Sequence, residues 1–157
     1  MSSQLRVDKI LPVDGAPSGG GGGIIQVKQT LYSTHTVVSN TSYAAPSGGF
    51  TVDITPKFNT SKILIMLNIC IEVRSSSIIA IELTRGGSSL FANEGGMRGD
   101  GTAQGGYLSM TYLDSPASTS ALTYGVQTKS SNSTYAINNY SGSGPTNSFL
   151  TVMEVSA

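Results

Sequence analysis

The chain has 157 residues, and its nine basic and nine acidic side chains cancel to a formal net charge of zero. Charged residues make up only 11% of the chain, less than half of the roughly 25% that is usual in soluble domains. A neutral surface without a basic patch argues against a nucleic-acid binder, which needs clustered Lys and Arg to displace counterions. The length fits one domain with a short additional segment.

Residues 1–23 differ in composition from the rest of the chain. A short apolar pattern precedes five consecutive glycines, Gly19–Gly23, and glycine runs behave as flexible coil. We predict a docking segment and hinge over residues 1–23, followed by one domain over residues 24–157. The alternative is a frayed terminus. The predicted docking residues are Leu5, Val7, Asp8 and Ile10.

The strongest periodic signal lies at Ser61–Val73, where every odd position from 63 to 73 is apolar. A period of two places alternate side chains on opposite faces of a strand, so one face of this strand is predicted to lie in the core. The other face is apolar at Leu64, Met66 and Cys70, which predicts a second covering surface, either another sheet or another subunit. The run would span roughly 40 Å at ~3.3 Å per residue. We therefore expect a bulge or bend near Asn68.

Further runs alternate in the same way, and no helical period stands out. Turn residues separate them, and Gly86-Gly87 is a strong hairpin signal. Eight or nine strands with short turns predict an all-β fold, an antiparallel β-sandwich that is jelly-roll-like. Besides the central strand, we expect strands at 24–31, 50–55, 79–83, 88–92, 107–112, 122–127, 135–140 and 149–155.

The connections between antiparallel strands sort to two ends of a sandwich. Counting from Ile24 places the connections Arg74–Ser77, Asn93–Gly106 and Lys129–Ser133 at one end. The glycine run, Asp114–Ser120 and Ser141–Ser148 fall at the other end. If the glycine run marks the attached end, the first set points outward. The predicted outward-facing binding residues are Arg74, Ser75, Ser76, Asn93, Glu94, Arg98, Asp100, Gln104, Ser131 and Asn132.

No catalytic constellation can be assembled from the sequence. One histidine, His35, and one cysteine, Cys70, cannot form a zinc cluster, and the sequence has neither a poised carboxylate pair nor a phosphate-binding glycine motif. We predict no enzyme activity, no cofactor and no metal, and a buried, structural Cys70. No run of 18 apolar residues occurs, so no membrane insertion is expected.

Three weaker interpretations stay open at this stage. Arg98-Gly99-Asp100 matches an adhesion tripeptide, and Glu94 and Asp100 together offer oxygen ligands to a Ca²⁺ ion. Exposed tyrosines stack on sugar rings, whereas tyrosines in a sandwich more often cover the edges of the core. The tyrosines in question are Tyr107, Tyr112, Tyr124, Tyr135 and Tyr140.

The chain contains several architectural motifs that together span nearly its whole length. They are Leu5–Ile10 followed by a glycine-rich break, Gly23–Val27, Val52–Pro56 leading to Ser61–Ile65, Leu113–Pro116, Thr123–Gln127 and Thr151–Ala157. With these motifs the chain resembles virion structural proteins of tailed bacteriophages. It is similar in particular to small tail-fibre or receptor-binding proteins of marine and cyanobacterial phages.

The resemblance implies a non-enzymatic β-sandwich module, commonly a homotrimer, attached to the particle by its N-terminal segment. We therefore expect the chain on the virion tail or outer surface, in contact with other tail or capsid proteins. Its outward loops would face a host cell-surface glycan or protein. The alternative is a capsid decoration or tail adaptor with a purely structural role. A depolymerase would need an acidic pair brought together in space, and we do not expect one.

Overall fold

The computed structural model describes residues 23–73, 76–131, 134–139 and 146–156. These ranges contain strands and no helix, so none of them holds a helix long and apolar enough to cross a membrane. The predicted docking residues Leu5, Val7, Asp8 and Ile10 lie outside the described residues. The strands are β1 (Ile24–Tyr32), β2 (Thr36–Val38), β3 (Thr51–Ile54), β4 (Lys62–Val73), β5 (Ile78–Arg85), β6 (Ser88–Arg98), β7 (Gln104–Asp114), β8 (Leu122–Ser130), β9 (Tyr135–Ile137) and β10 (Ser148–Val155).

The strands pair antiparallel into two sheets, which confirms the predicted all-β antiparallel sandwich. In the first sheet β7 pairs with one edge of β4 along its length, while β10 and then β9 share the other edge. β1 lies outside β10, and β2 lies outside β9. The second sheet has the order β3-β8-β5-β6. Apart from the three-residue strands β2 and β9, the strands thus form two sheets ordered β1-β10-β4-β7 and β3-β8-β5-β6.

β4 is the central strand that the periodicity predicts. Its apolar side chains at the odd positions from 63 to 73 are at most 2% exposed, and they face buried side chains of the second sheet such as Ile81 and Leu83. Full burial of one such side chain contributes about 1.5–3 kcal/mol relative to exposure. The bulge expected near Asn68 is wrong, because the pairing of β4 with β7 runs without a shift from Ile63 to Val73. At Asn68 the strand exchanges its neighbour, β10 for β9, and stays regular.

The second face of β4 is covered in one half only. Cys70 is 1% exposed, as its structural interpretation predicts, whereas Met66 is 43% exposed. Around Met66 the outward side chains of the first sheet form a surface that we call the open face. Its apolar members are Val27, Leu31, Leu64, Met66, Leu113, Phe149 and Met153, and its polar members are Gln29, Asn68, Ser109, Thr111 and Thr151.

The glycine-rich stretch Asn93–Gly106 is not the long loop that the sequence suggested. β6 runs to Arg98 and β7 begins at Gln104, so the connection is only residues 99–103. Gly96 lies where an added Cβ would come within 2.8 Å of the Ile79 carbonyl oxygen and 3.3 Å of the Leu108 side chain. This glycine therefore permits close packing inside the sandwich, and it does not mark a loop.

The predicted sorting of connections to two ends holds with one exception. The connections after β4, β6 and β8 meet at the end marked by Val73, the far end. Gly23 and the connection after β7 lie at the opposite end, the hinge end. The connection that ends at Ser148 was expected at the hinge end, but β10 begins at Ser148 and first pairs with β4 at Asn68, halfway along that strand. β9 and β10 both run antiparallel to β4 along one edge, so these two strands point in the same direction.

Candidate functional site

Backbone pairing at the far end brings the three connections together. Ile78 pairs with Arg98 across one edge of β5, and Ile79 pairs with Ser130 across the other. Beyond the strands, the Gly99 amide donates to the Ser77 carbonyl at 2.9 Å, and the Ser131 amide donates to the Ile78 carbonyl at 2.9 Å. The residues next to the strand ends are therefore held by main-chain hydrogen bonds.

These residues surround a cavity of about 380 Å³, which we call the far-end cavity. Its volume lies within the range of roughly 300–1,000 Å³ that is typical of small-ligand sites. The lining mixes hydroxyl groups with one cation and one carboxylate. The lining residues are Ser76, Ser77, Ile78, Arg98, Gly99, Asp100 and Ser131.

A cluster of serine hydroxyls forms the inner wall of the far-end cavity. The buried Ser77 hydroxyl lies 2.7 Å from the Ser130 hydroxyl and 3.2 Å from the Ser131 hydroxyl. Ser131 also accepts a hydrogen bond from the Ile78 amide at 3.1 Å. Each hydroxyl both donates and accepts, so the cluster presents a fixed polar surface to the cavity.

The two charged residues of the cavity have different local partners. Asp100 Oδ1 accepts hydrogen bonds from the Thr102 hydroxyl at 2.8 Å and the Thr102 amide at 3.1 Å, and these bonds lower the pKa of Asp100. Arg98 is exposed, and among the described residues no carboxylate lies within ion-pair distance of its guanidinium. The cavity thus holds an ionised carboxylate fixed by its own turn and a cation without an ionic partner in the described part of the chain.

A second cavity of about 250 Å³ adjoins the first and shares Ile78 and Ser131 with it. At its side Glu94 accepts a hydrogen bond from the Tyr43 hydroxyl at 2.8 Å and pairs with the Lys129 ammonium group at 2.8 Å. The ammonium group also lies 4.4 Å from the centre of the Tyr43 ring. Burial and the bond to Glu94 raise the pKa of Tyr43, while Lys129 and Tyr43 lower the pKa of Glu94.

The Ca²⁺ interpretation of Glu94 and Asp100 gains nothing from this geometry. Each carboxylate is engaged by its own neighbours, Lys129 and Tyr43 for Glu94 and Thr102 for Asp100. No group of three or more histidine, cysteine, aspartate or glutamate side chains in the described ranges is placed to hold a metal ion.

The structure brings together four of the predicted binding residues at the far-end cavity. Ser76, Arg98, Asp100 and Ser131 line the far-end cavity, and Glu94 lies beside the second cavity. Four of the predicted loop residues lie in strands: Asn93, Glu94 and Arg98 in β6, and Gln104 at the start of β7. Asn93 accepts a hydrogen bond from the Gly95 amide at 3.1 Å. Arg74, Ser75 and Asn132 lie outside the described residues. Ser77 and Lys129 belong to the predicted outward connections, although they were not singled out as binding residues. Tyr43 was missed, because only long-range pairing brings it here.

The tyrosines divide between core and surface. Tyr124 and Tyr135 are at most 1% exposed and are unavailable for stacking on a sugar. Tyr112 stacks on Phe91 with ring centres 5.8 Å apart and closes the sandwich edge between β6 and β7. Tyr107 is 52% exposed, and Tyr140 lies outside the described residues.

Two buried carboxylates lie at the hinge end, on the strands that flank Ile63. Glu154 accepts from the Gln26 side chain at 2.6 Å and from the Lys57 amide at 2.7 Å. Asp114 accepts from the Arg85 guanidinium and the Tyr124 hydroxyl, each at 2.6 Å. Glu154 is 0% and Asp114 6% exposed, so this acidic pair is closed to a polysaccharide.

Comparison with known proteins assigns no family to this geometry. No protein-family model matches the chain. A search of curated proteins finds no match either.

Proposed function

We propose that this chain is a non-enzymatic bacteriophage virion protein, a tail-fibre or receptor-binding module. It attaches by its N-terminal segment and displays its far end for adsorption to the host surface. The observation that carries the proposal is the arrangement of the two ends of the sandwich. Gly23 and the far-end cavity lie at opposite ends of the twelve-residue strand β4, which spans about 36 Å. A module anchored at Gly23 points the cavity away from its anchor.

The open face supports the homotrimer that is part of this proposal. Its residues include no charged side chain, and they surround a depression of about 420 Å³. Four strands about 4.8 Å apart and seven residues of ~3.3 Å give it dimensions of roughly 19 Å by 23 Å. Contiguous apolar patches of several hundred Å² are typical of interaction surfaces. We infer that copies of the chain meet through this face.

Light scattering on a sizing column tests the oligomer. We expect a trimer for the full chain and for a chain without residues 1–23, because the open face lies in the sandwich. Met66→Lys places a charge in the centre of the face and should give a monomer. Thr51→Lys adds the same charge at an exposed position of β3 in the second sheet and should leave the trimer intact. A monomeric wild-type chain, or equal behaviour of the two variants, would contradict the proposed interface.

Adsorption tests the function directly. An antibody against the purified chain should label the tail of particles of the virus that encodes it, and the purified chain should compete with those particles for host cells. Replacing residues 99–103 by a two-residue turn should leave particle assembly intact and reduce adsorption. A chain that labels no particle would overturn the virion assignment.

The open face also favours the second candidate, a capsid decoration or tail adaptor. An apolar surface that does not self-associate fits the apolar surface of a neighbouring virion protein. In that case Met66→Lys should remove the chain from the particle, and the loop replacement should leave adsorption unchanged.

A further inference from the structure

We propose that the far-end cavity binds a carboxylate-bearing saccharide, with Arg98 pairing the carboxylate and the serine wall facing the ring hydroxyls. This inference rests on the proposed receptor-binding function and names the chemical class of the receptor. It concerns the described lining residues Ser76, Ser77, Arg98, Asp100 and Ser131.

Arg98 provides the reason for a carboxylate. A guanidinium group presents its N–H donors in a planar fork that matches a carboxylate in bidentate fashion. The main chain around Arg98 is fixed, because Arg98 pairs with Ile78 and the following Gly99 amide donates to the Ser77 carbonyl. In the described part of the chain its guanidinium has no ionic partner, while the neighbouring cation Lys129 is paired with Glu94. Of the two cations that line these cavities, Arg98 is therefore the one that no carboxylate in the described part of the chain neutralises.

The rest of the lining provides the reason for a saccharide. Sugar hydroxyls donate and accept at once, and they are matched by groups that do the same or that only accept. Ser76 and Ser131 supply hydroxyls, and Asp100 supplies carboxylate oxygens that only accept, with Thr102 donating to Oδ1. An exposed, ionised Asp100 suits a pair of ring hydroxyls and disfavours a simple anion. The site therefore selects a ligand that carries both a carboxylate and hydroxyls.

The size of the site also favours a saccharide over a protein surface. A protein receptor typically covers about 800 Å² of its partner, whereas the polar groups here converge on a concavity of about 380 Å³. The adjoining cavity of about 250 Å³ shares Ile78 and Ser131, and it offers room for the next sugar of a chain. Lys129 and Glu94 neutralise each other there, so that sugar is expected to be neutral.

The test is to titrate the ¹⁵N-labelled full-length protein with three probes and to monitor the backbone amide resonances by NMR. Methyl β-D-glucuronide carries the carboxylate and the ring, methyl β-D-glucoside only the ring, and acetate only the carboxylate. We expect the glucuronide to shift the amides of Gly99 and Ser131 and to bind at least tenfold more tightly than either other probe. Arg98→Gln should weaken glucuronide binding at least tenfold. Lys28→Gln, which removes a positive charge from an exposed position of β1, should leave it unchanged.

Each other outcome overturns a stated part of the inference. Equal binding of acetate means a plain anion site, and equal binding of the glucoside removes the role of Arg98. Shifts confined to residues away from the cavity place the ligand elsewhere, and a peptide with a free C-terminus that outcompetes the glucuronide assigns the site to a protein ligand. Adsorption blocked by the purified chain without glucuronide binding would leave the proposed function standing and this inference wrong. If the chain binds the glucuronide but the antibody against it labels no particle, the proposed function is wrong and the saccharide site stands.

Discussion

Two pairs of charged side chains, one at each end of the sandwich, differ in how the protein holds them. At the hinge end Glu154 and Asp114 are buried, and each accepts hydrogen bonds from partners distant in sequence. At the far end Arg98 and Asp100 are exposed, and the Arg98 guanidinium has no carboxylate partner among the described residues. A buried charge that is saturated by protein donors stabilises one arrangement of the chain, whereas a charge beside a cavity is available to a ligand. Substitutions at the two ends should therefore differ in what they change.

Removing the Glu154 carboxylate should have the largest effect. In Glu154→Ala the Lys57 and Phe58 backbone amides lose their acceptor inside the protein, and the Gln26 side-chain amide keeps only the Thr55 carbonyl. Buried donors without partners and the lost side-chain packing should lower the free energy of unfolding by about 3 kcal/mol. Urea denaturation measures this change. Glu154→Gln keeps the shape and one acceptor oxygen and should cost about half as much, and equal costs for the two variants would show that packing alone matters.

Asp114→Asn should have the next largest effect. One oxygen of Asp114 accepts both from Arg85, on the second sheet, and from Tyr124, so the neutral amide weakens a contact between the sheets. We expect a loss of about 2 kcal/mol in the free energy of unfolding. Tyr124→Phe removes only the hydroxyl and should cost about 1 kcal/mol. If Asp114→Asn is no worse than Tyr124→Phe, the ion pair with Arg85 adds nothing.

The buried carboxylate also predicts a dependence on pH. Burial acts to raise the pKa of Glu154, but the hydrogen bonds from Gln26 and the two backbone amides outweigh it, and the pKa lies below its ordinary value of 4.5. A carboxylate whose pKa is lowered by folding stabilises the folded state above its unfolded pKa, and this stabilisation is lost as the pH falls through the folded pKa.

The free energy of unfolding should therefore fall as the pH drops below about 4.5, and the fall should be smaller in Glu154→Gln. Chemical denaturation at a series of pH values between about 7 and 3 gives both curves. Parallel curves for the wild type and the variant would mean that other carboxylates account for the acid sensitivity.

The central strand could be predicted from the sequence, because its signal is local. Six apolar residues at alternate positions of β4 specify one buried face regardless of which strands pair with it. The same locality explains why the antiparallel sandwich was predicted correctly. It also explains why the sequence suggested a bulge at Asn68, where the regular strand in fact exchanges one neighbour for another.

What the sequence did not reveal depends on distant contacts. Glu154 looks like one more polar residue in an alternating strand, and only the structure places it on the core side, where its donors come from residues about a hundred positions away. Gly96 looks like a loop glycine, and only the packing of the Ile79 carbonyl and Leu108 shows why a strand needs it. The far-end cavity is an intermediate case: the sorting of connections predicted the gathering of Ser76, Arg98 and Ser131, but not the serine cluster behind them.

Arg98→Gln should have the smallest effect on stability, and this makes the comparison of the two ends sharp. Its guanidinium is exposed and has no ionic partner in the described ranges, and Gln retains much of the aliphatic stem and the strand pairing of β6. Substitutions at such surface positions usually change the free energy of unfolding by less than about 0.5 kcal/mol. Urea denaturation of this variant beside Asp114→Asn therefore compares a charge facing a cavity with a charge held by partners. A loss approaching that of Asp114→Asn would mean that Arg98 supports the fold, and its side chain would then be committed to the protein and unavailable to a ligand.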